Sequence, residues 1–424
     1  MSQDTALKFR FDTSARRVAL AAVVMVLASA YAALAVRRFV ASWSANRGDL
    51  ASLERSIRLD PGNADYHDRL GRFYEREARD PGSALTQYEA SVQLDRHSSR
   101  YWLDLASAYR VLGDITNQTA AIEQAIHADP TTPDVAWEAA NLYMAGGDDE
   151  KALREFGVVI GNDNSLAGEA LRNCWRLKPD VDVLLRNVIP VGTDSYLGFL
   201  ELLESKQETA GTVKVWNVLM QTQQSFEPRY SYDYIRYLIE HREADHAVMV
   251  WQQTASRFGL SSYLPSSSNL VVNGNFAVDV LNAGFDWQYQ KQDGVTLTLD
   301  PTDFHGGRRS LLVTFDGPGI SEAGIFQVVA VQPNTSYRFE AYYKNAEMEG
   351  AGGPHFAIQD LYTQTTYYES EELKDSGFWK SAEGEFTTGP DCKLVRLHIR
   401  RTPSGSPIRG KLWVDDFHLT RMPS

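Results

Sequence analysis

The reactive side chains of this 424-residue chain fall into no catalytic pattern. There is no Gly-x-Ser-x-Gly elbow, no His-Glu-x-x-His and no Gly-x-x-x-x-Gly-Lys phosphate loop. Carboxylate pairs such as Glu371-Glu372 and Asp148-Asp149 sit in polar stretches, where a solvated charge run accounts for them. Cys174 and Cys392 are the only cysteines and are expected in different domains, so neither a disulfide nor a cysteine-based metal site is expected. With 42 Lys and Arg against 55 Asp and Glu, the formal net charge is −13, and no basic tract follows the first 47 residues. That balance argues against a nucleic-acid partner, which requires clustered cations on one face. Asn117-Gln118-Thr119 and Asn334-Thr335-Ser336 match the glycosylation acceptor pattern, a motif short enough to arise by chance. The expectation is a non-enzymatic chain that works by binding.

The elements that position its binding groups begin with an anchor. Val18 to Val36 is an uncharged run broken only by Ser29 and Tyr31, and its 19 residues come close to the ~20 that cross a bilayer. Ala28-Ser29-Ala30 offers a competing reading as a signal-peptidase site. The run continues beyond it to Val36 and closes on Arg37-Arg38, which favours a retained span. Lys8, Arg10, Arg16 and Arg17 before the span outweigh Asp4 and Asp12, whereas Arg37, Arg38 and Arg47 follow it. The bias places residues 1–17 in the cytoplasm as a tail, 18–36 in the inner membrane, and the bulk of the chain in the periplasm.

Between Ser99 and Pro130 a spaced pattern appears: Tyr109, Gly113-Asp114, Ile122, Ala125 and Asp129-Pro130. Tyr143, Gly147-Asp148, Ala152, Phe156 and Val159 repeat it, and Leu70-Gly71, Tyr74, Ala84, Tyr88 and Ser91 do so with about one extra residue, placed at the turn Arg79-Asp80-Pro81-Gly82. Leu53, Ser56, Ile57, Leu59 and Asp60-Pro61 read as the second helix of a repeat whose first helix the anchor replaces. These residues resemble the tetratricopeptide repeat family over about three and a half copies within 39–164, with Gln118 at a usual alanine and Arg96 and Asn164 at usual prolines. The resemblance implies a helical solenoid that binds a protein partner. Residues 165–260 keep apolar positions at spacings of three and four and read as degenerate repeats. Tyr230, Tyr232, Tyr234 and Tyr237 there fit packing better than a peptide groove.

Residues 261–268, with Ser261-Ser262 and Pro265-Ser266-Ser267-Ser268, read as a flexible linker. Beyond them, Val295-Leu297-Leu299, Leu311-Val313-Phe315, Phe326-Val328-Ala330, Tyr337-Phe339-Ala341 and Leu394-Arg396-His398-Arg400 alternate as strands. Residues 269–424 should form an all-β sandwich of jelly-roll type. Its opening, Asn269 to Phe276, and its close, Lys411 to Leu419 with Val414-Asp415-Asp416, resemble the galactose-binding-like sandwiches and their carbohydrate-binding modules. In that family the first and last strands pair.

The resemblance implies a sugar site built on aromatic rings with polar neighbours, since a pyranose packs its C–H face on a ring. Tyr362, Tyr367 and Tyr368 beside Gln359 are the candidates, with edge-strand packing as the alternative, while Trp287, Trp379 and Trp413 read as core. The family often holds a structural calcium at its opening motif. Ala277 stands here where an acidic residue is usual, which leaves Asn275 and Asp416 as candidate ligands. Asp415 and Asp416 should point to opposite faces of one strand.

The expected protein is therefore multidomain: one transmembrane helix, an all-α tetratricopeptide-type solenoid, then an all-β jelly roll. Its expected role is that of a membrane-anchored envelope adaptor that holds a protein through the solenoid and glycan through the sandwich, in surface polysaccharide assembly or export. The alternatives are a purely structural scaffold and an accessory subunit of a glycan-active enzyme.

Overall fold

The computed structural model describes residues 13–222, 224–374 and 376–423. The chain divides into two compact units, Met1–Leu202 and Leu203–Ser424. The first is all helical: α1 (Ser14–Ala45), α2 (Leu50–Leu59), α3 (Ala64–Phe73), α4 (Pro81–Leu94), α5 (Ser99–Leu112), α6 (Ile115–Ala128), α7 (Pro133–Ala145), α8 (Asp149–Asn162), α9 (Asn164–Leu177), α10 (Val181–Asn187) and most of α11 (Thr193–Ser205). Helix α1 is long and apolar enough to cross a membrane, and its apolar window is not buried. The basic residues expected before the span at positions 8 and 10 lie outside the described residues.

The repeat is written in the caps. Asp80, Asp114 and Asp148 stand 34 residues apart, and each carboxylate accepts the backbone N–H three residues on, at 3.1 Å. Before each of them the chain turns through a left-handed residue: Arg79, Gly113 and Gly147. Side chains follow the same register. Ala84, Gln118 and Ala152 are buried, as are Tyr88, Ile122 and Phe156. Gln118 keeps its place because its amide donates to the Leu142 carbonyl at 3.0 Å. The extra residue of the earlier copy lies upstream of the turn where it was expected. A π-helical turn at Tyr74–Ala78 absorbs it and restores register by Arg79.

The start of the solenoid shows why α1 has no break. Ala41 and Ala45, at its C-terminal end, pack with Leu53, Tyr66 and Leu70, so α1 supplies the first helix of the first repeat. Arg37 donates to the Leu59 carbonyl, and Arg38 lies 3.9 Å from Asp60.

The second unit opens with α12 (Thr209–Gln221), α13 (Pro228–Glu240) and α14 (Ala244–Phe258). Tyr234 and Tyr237 are buried, and Tyr234 donates to Thr212 at 3.0 Å, so these rings build core rather than a groove. Residues 261–268 are tied down by Tyr263. Its carbonyl accepts the Trp251 indole N–H at 2.9 Å, and its hydroxyl donates to the Asp279 carbonyl at 2.8 Å.

Among the described residues the sandwich has ten strands: β1 (Gln288–Tyr289), β2 (Val295–Asp300), β3 (Ser310–Gly317), β4 (Glu322–Ala330), β5 (Ser336–Gly350), β6 (Pro354–Asp360), β7 (Thr366–Glu369), β8 (Lys380–Thr387), β9 (Leu394–Arg401) and β10 (Ile408–Arg421). They form two antiparallel sheets, sheet I in the order β1-β4-β9-β6-β7 and sheet II in the order β2-β3-β10-β5-β8. Alternate residues of facing strands, including Phe339, Phe356, Leu397 and Phe417, fill the space between them together with Phe276 and Trp287 of the opening segment. The opening segment lies along the last strand: Leu270 N–H donates to the Leu419 carbonyl at 2.8 Å, and the Asn269 amide donates to that of Phe417 at 2.9 Å.

Asp286 is buried beside Trp287. Its Oδ2 accepts the Leu281 N–H at 2.7 Å, while its Oδ1 has no partner among the described residues. Burial pushes this carboxyl up to about 6.

Two outcomes are expected. Gly71→Ala would place a methyl 2.7 Å from the buried Tyr88 ring. Overpacking of this kind should cost about 1–3 kcal/mol in urea unfolding. A carboxyl that holds its proton more tightly when folded lends stability that is complete below its unfolded value of 3.8 and is lost as pH rises through about 6. The melting temperature should therefore fall between about pH 4 and pH 7, and Asp286→Asn should flatten that fall.

Candidate functional site

The three candidate tyrosines do not share a surface. The Tyr362 hydroxyl donates to the Ile239 carbonyl of α13 at 2.9 Å, and the Arg242 guanidinium lies over its ring at 5.2 Å. Burial pushes the hydroxyl up to about 12. Tyr362 thus fastens the sandwich to the preceding helices, a junction that Lys393 reinforces by pairing with Asp245 at 2.5 Å. Tyr367 and Tyr368, though adjacent, both turn inward, because the pairing of β6 with β7 slips between Ile358 and Gln359. Tyr367 stacks on Phe386 with centroids 6.0 Å apart and accepts the Gly389 N–H at 2.9 Å. Tyr368 packs on Phe339, with ring centroids 5.2 Å apart. Gln359 faces outward and donates to Thr366 at 2.9 Å.

Two of the tryptophans assigned to the core lie elsewhere. Trp287 is core, whereas Trp413 sits on the outer face of sheet II between Leu312 and Lys344, and Trp379 stands nearby. Their indole N–H groups donate to Asp300 at 2.8 Å and Asp303 at 3.2 Å. Lys344 pairs with Asp303 at 2.5 Å, and His305 stacks on Tyr342 at 3.7 Å. The polar groups of this face are therefore spent on one another.

A correction applies to Asp415 and Asp416. The pairing of β10 with β5 shifts between Asp415 and His418, and Asp416 takes a left-handed backbone with φ 48°. This bulge brings both carboxylates to the loop at His305. Asp415 accepts the N–H groups of His305 and Gly306 at 2.9 and 3.0 Å, and Asp416 lies 2.6 Å from His305 Nδ1.

The surrounding groups do not fit calcium. Arg309 donates to the Phe276 carbonyl at 2.6 Å and to Asp279 at 2.8 Å, and Asn275 accepts the Ala277 N–H at 3.3 Å. A guanidinium and an imidazole already hold oxygens the ion would need, and no cluster of three or more metal-ligating side chains occurs among the described residues.

The outer face of sheet I is different. Val395, Leu397 and Ile399 point into the core, so Arg396, His398 and Arg400 line the opposite face. Register sets them in three rows: Val328, Arg396 and Gln359; Phe326, His398 and Ala357; Glu322, Arg400 and His355. The Arg396 guanidinium lies over the Phe326 ring at 4.4 Å, and Glu322 holds His398 Nδ1 at 2.8 Å. Arg396 Nε and His398 Nε2 are buried with no hydrogen-bond partner among the described residues. Alternation in β9 was legible in the sequence; the unpartnered nitrogens required side-chain geometry.

The second unit thus holds a two-sheet sandwich with one polar, aromatic-backed face. Residues 268–405 match a family model described as a carbohydrate binding domain, which identifies the sandwich as a domain of that kind. Among solved structures, "CBM4 structure and function" is 15% identical and covers 36% of this chain and 99% of that one, with a TM-score of 0.28. The CBM22-1 xylan-binding domain of Paenibacillus barcinonensis Xyn10C is 14% identical over 38% of this chain and 98% of that one, with a TM-score of 0.27. MamA is 18% identical over 43% of this chain and 93% of that one, with a TM-score of 0.26. No curated protein matches the chain.

Truncating Tyr368 should tell core from platform. Tyr368→Ala is expected to cost about 3–5 kcal/mol in urea unfolding, as large aromatic deletions in a core do. Gln359→Ala should stay within about 0.5 kcal/mol.

Proposed function

We propose that this protein is a membrane-anchored, non-enzymatic adaptor of the cell envelope, with α1 held in the inner membrane and the bulk of the chain in the periplasm. The observation that carries the reading is the order of parts in one chain: an apolar helix continuous with a repeat solenoid, followed by a sandwich matching a carbohydrate binding domain. The solenoid holds a protein partner, the sandwich holds glycan, and surface polysaccharide assembly or export is the process such a pairing serves. The outer face of sheet I is the glycan site under this reading, because Arg396 Nε and His398 Nε2 there have no hydrogen-bond partner among the described residues.

One observation favours a second reading. Tyr362, Lys393 and Tyr263 fasten the sandwich to α13 and α14, as a module that only caps the helices would be fastened.

The detergent-solubilised full chain, applied to an array of bacterial polysaccharides, separates the two. Retention on at least one glycan is expected, and retention on none would favour the cap. A reporter active only in the periplasm, fused after Ser424, should be active; a cytosolic result would remove the envelope placement.

A further inference from the structure

The outer face of sheet I sets two arginines, Arg396 and Arg400, in line along β9. The formal net charge is −13, yet β9 sets Arg396, His398 and Arg400 at alternate positions on one face, with His355 across the sheet from Arg400. Two acidic groups share this face: Glu322, engaged with His398, and Glu369 of β7, which pairs with Ala357 in the His398 row. Neither Arg396 nor Arg400 forms an ion pair among the described residues.

The state of Arg396 is informative. An arginine in this setting would ordinarily spend its donors on a carboxylate or a carbonyl. Here the guanidinium lies over Phe326 and makes no hydrogen bond among the described residues, and its Nε is buried. His398 is 2% exposed, and its Nε2 likewise has no partner. Buried polar nitrogens without partners are costly, since each forfeits its hydration. A guanidinium held flat on a ring has its fork arranged in advance for the two oxygens of a carboxylate.

We propose that the outer face of sheet I binds an acidic glycan, in which the Arg396 fork takes a uronate carboxylate and His398 Nε2 meets a neighbouring ligand oxygen. Arg400 lies one row further along β9 and adds attraction for the next charged residue of the polymer. Gln359, on the same face beside Arg396, offers its amide to sugar hydroxyls. This inference rests on the glycan-adaptor reading and names the substrate class of its site.

The test uses the full chain in detergent and affinity electrophoresis through gels containing polygalacturonate, alginate or hyaluronan. Each polymer is paired with its carboxyl-reduced counterpart, which keeps the linkage and loses the charge. The expected result is retardation by at least one acidic polymer, with its reduced form about tenfold weaker or worse and the retardation diminished by salt.

Arg396→Gln should weaken the acidic polymer about tenfold without shifting the melting temperature, as loss of a charged hydrogen-bonded pair requires. Arg396→Lys keeps the charge and loses the fork, so it should fall between the two and serves if the glutamine variant does not fold. Equal retardation by a polymer and its reduced form would overturn the acidic-glycan inference and leave the adaptor reading intact. Unchanged binding in both Arg396 variants would overturn the site. If no polymer of either kind is retarded, the inference and the glycan half of the adaptor reading fall together.

Discussion

A helical repeat cannot bury its apolar stripe alone, and most of the architecture follows from how the exposed ends are covered. At the N-terminal end the cover is the C-terminal part of α1. Ala41 and Ala45, at the close of α1, occupy the place of a first repeat helix against Leu53, Tyr66 and Leu70. The apolar run and the first helix of the solenoid are thus one continuous helix, with Arg37 and Arg38 meeting Leu59 and Asp60 at the end of α2 where that run stops. In the second unit, Trp251 of α14 does the corresponding work, bonded to the Tyr263 carbonyl and lying 6.3 Å from Phe285. Covering the helices and joining them to the sandwich are the same set of contacts.

Much of this was legible in the sequence, because repeated packing demands repeated residues. The constant spacing of Asp80, Asp114 and Asp148 reflects one cap used three times, and the alternation of Leu394 to Arg401 reflects one face buried against a core. What escaped was set by irregularity. The β10 bulge brought Asp415 and Asp416 together at His305, and the slip between β6 and β7 turned both Tyr367 and Tyr368 inward. A bulge adds one residue to one strand, and nothing in an alternating pattern marks which residue it is. Trp379 and Trp413 were misread because a large ring on an outer face can be covered by charged neighbours, here Asp300, Asp303 and Lys344.

The two faces of the sandwich differ in how their polar groups are spent. On sheet II, indole N–H groups, a lysine and a histidine are matched to carboxylates and rings. On sheet I, Phe326 supports a guanidinium, and two buried nitrogens remain without partners among the described residues. A folded chain tolerates few such groups, and two of them lie on the outer face of sheet I. Arg309 meanwhile ties the Phe276 carbonyl and Asp279 together at the opening of the sandwich.

Hydrogen–deuterium exchange of the full chain, with and without an acidic oligosaccharide, tests the central claim most directly. The account calls for added protection confined to β4, β6 and β9 around Phe326, Gln359 and Arg396. Protection of sheet II at Trp413 and Tyr342 instead, or of no strand at all, would contradict it.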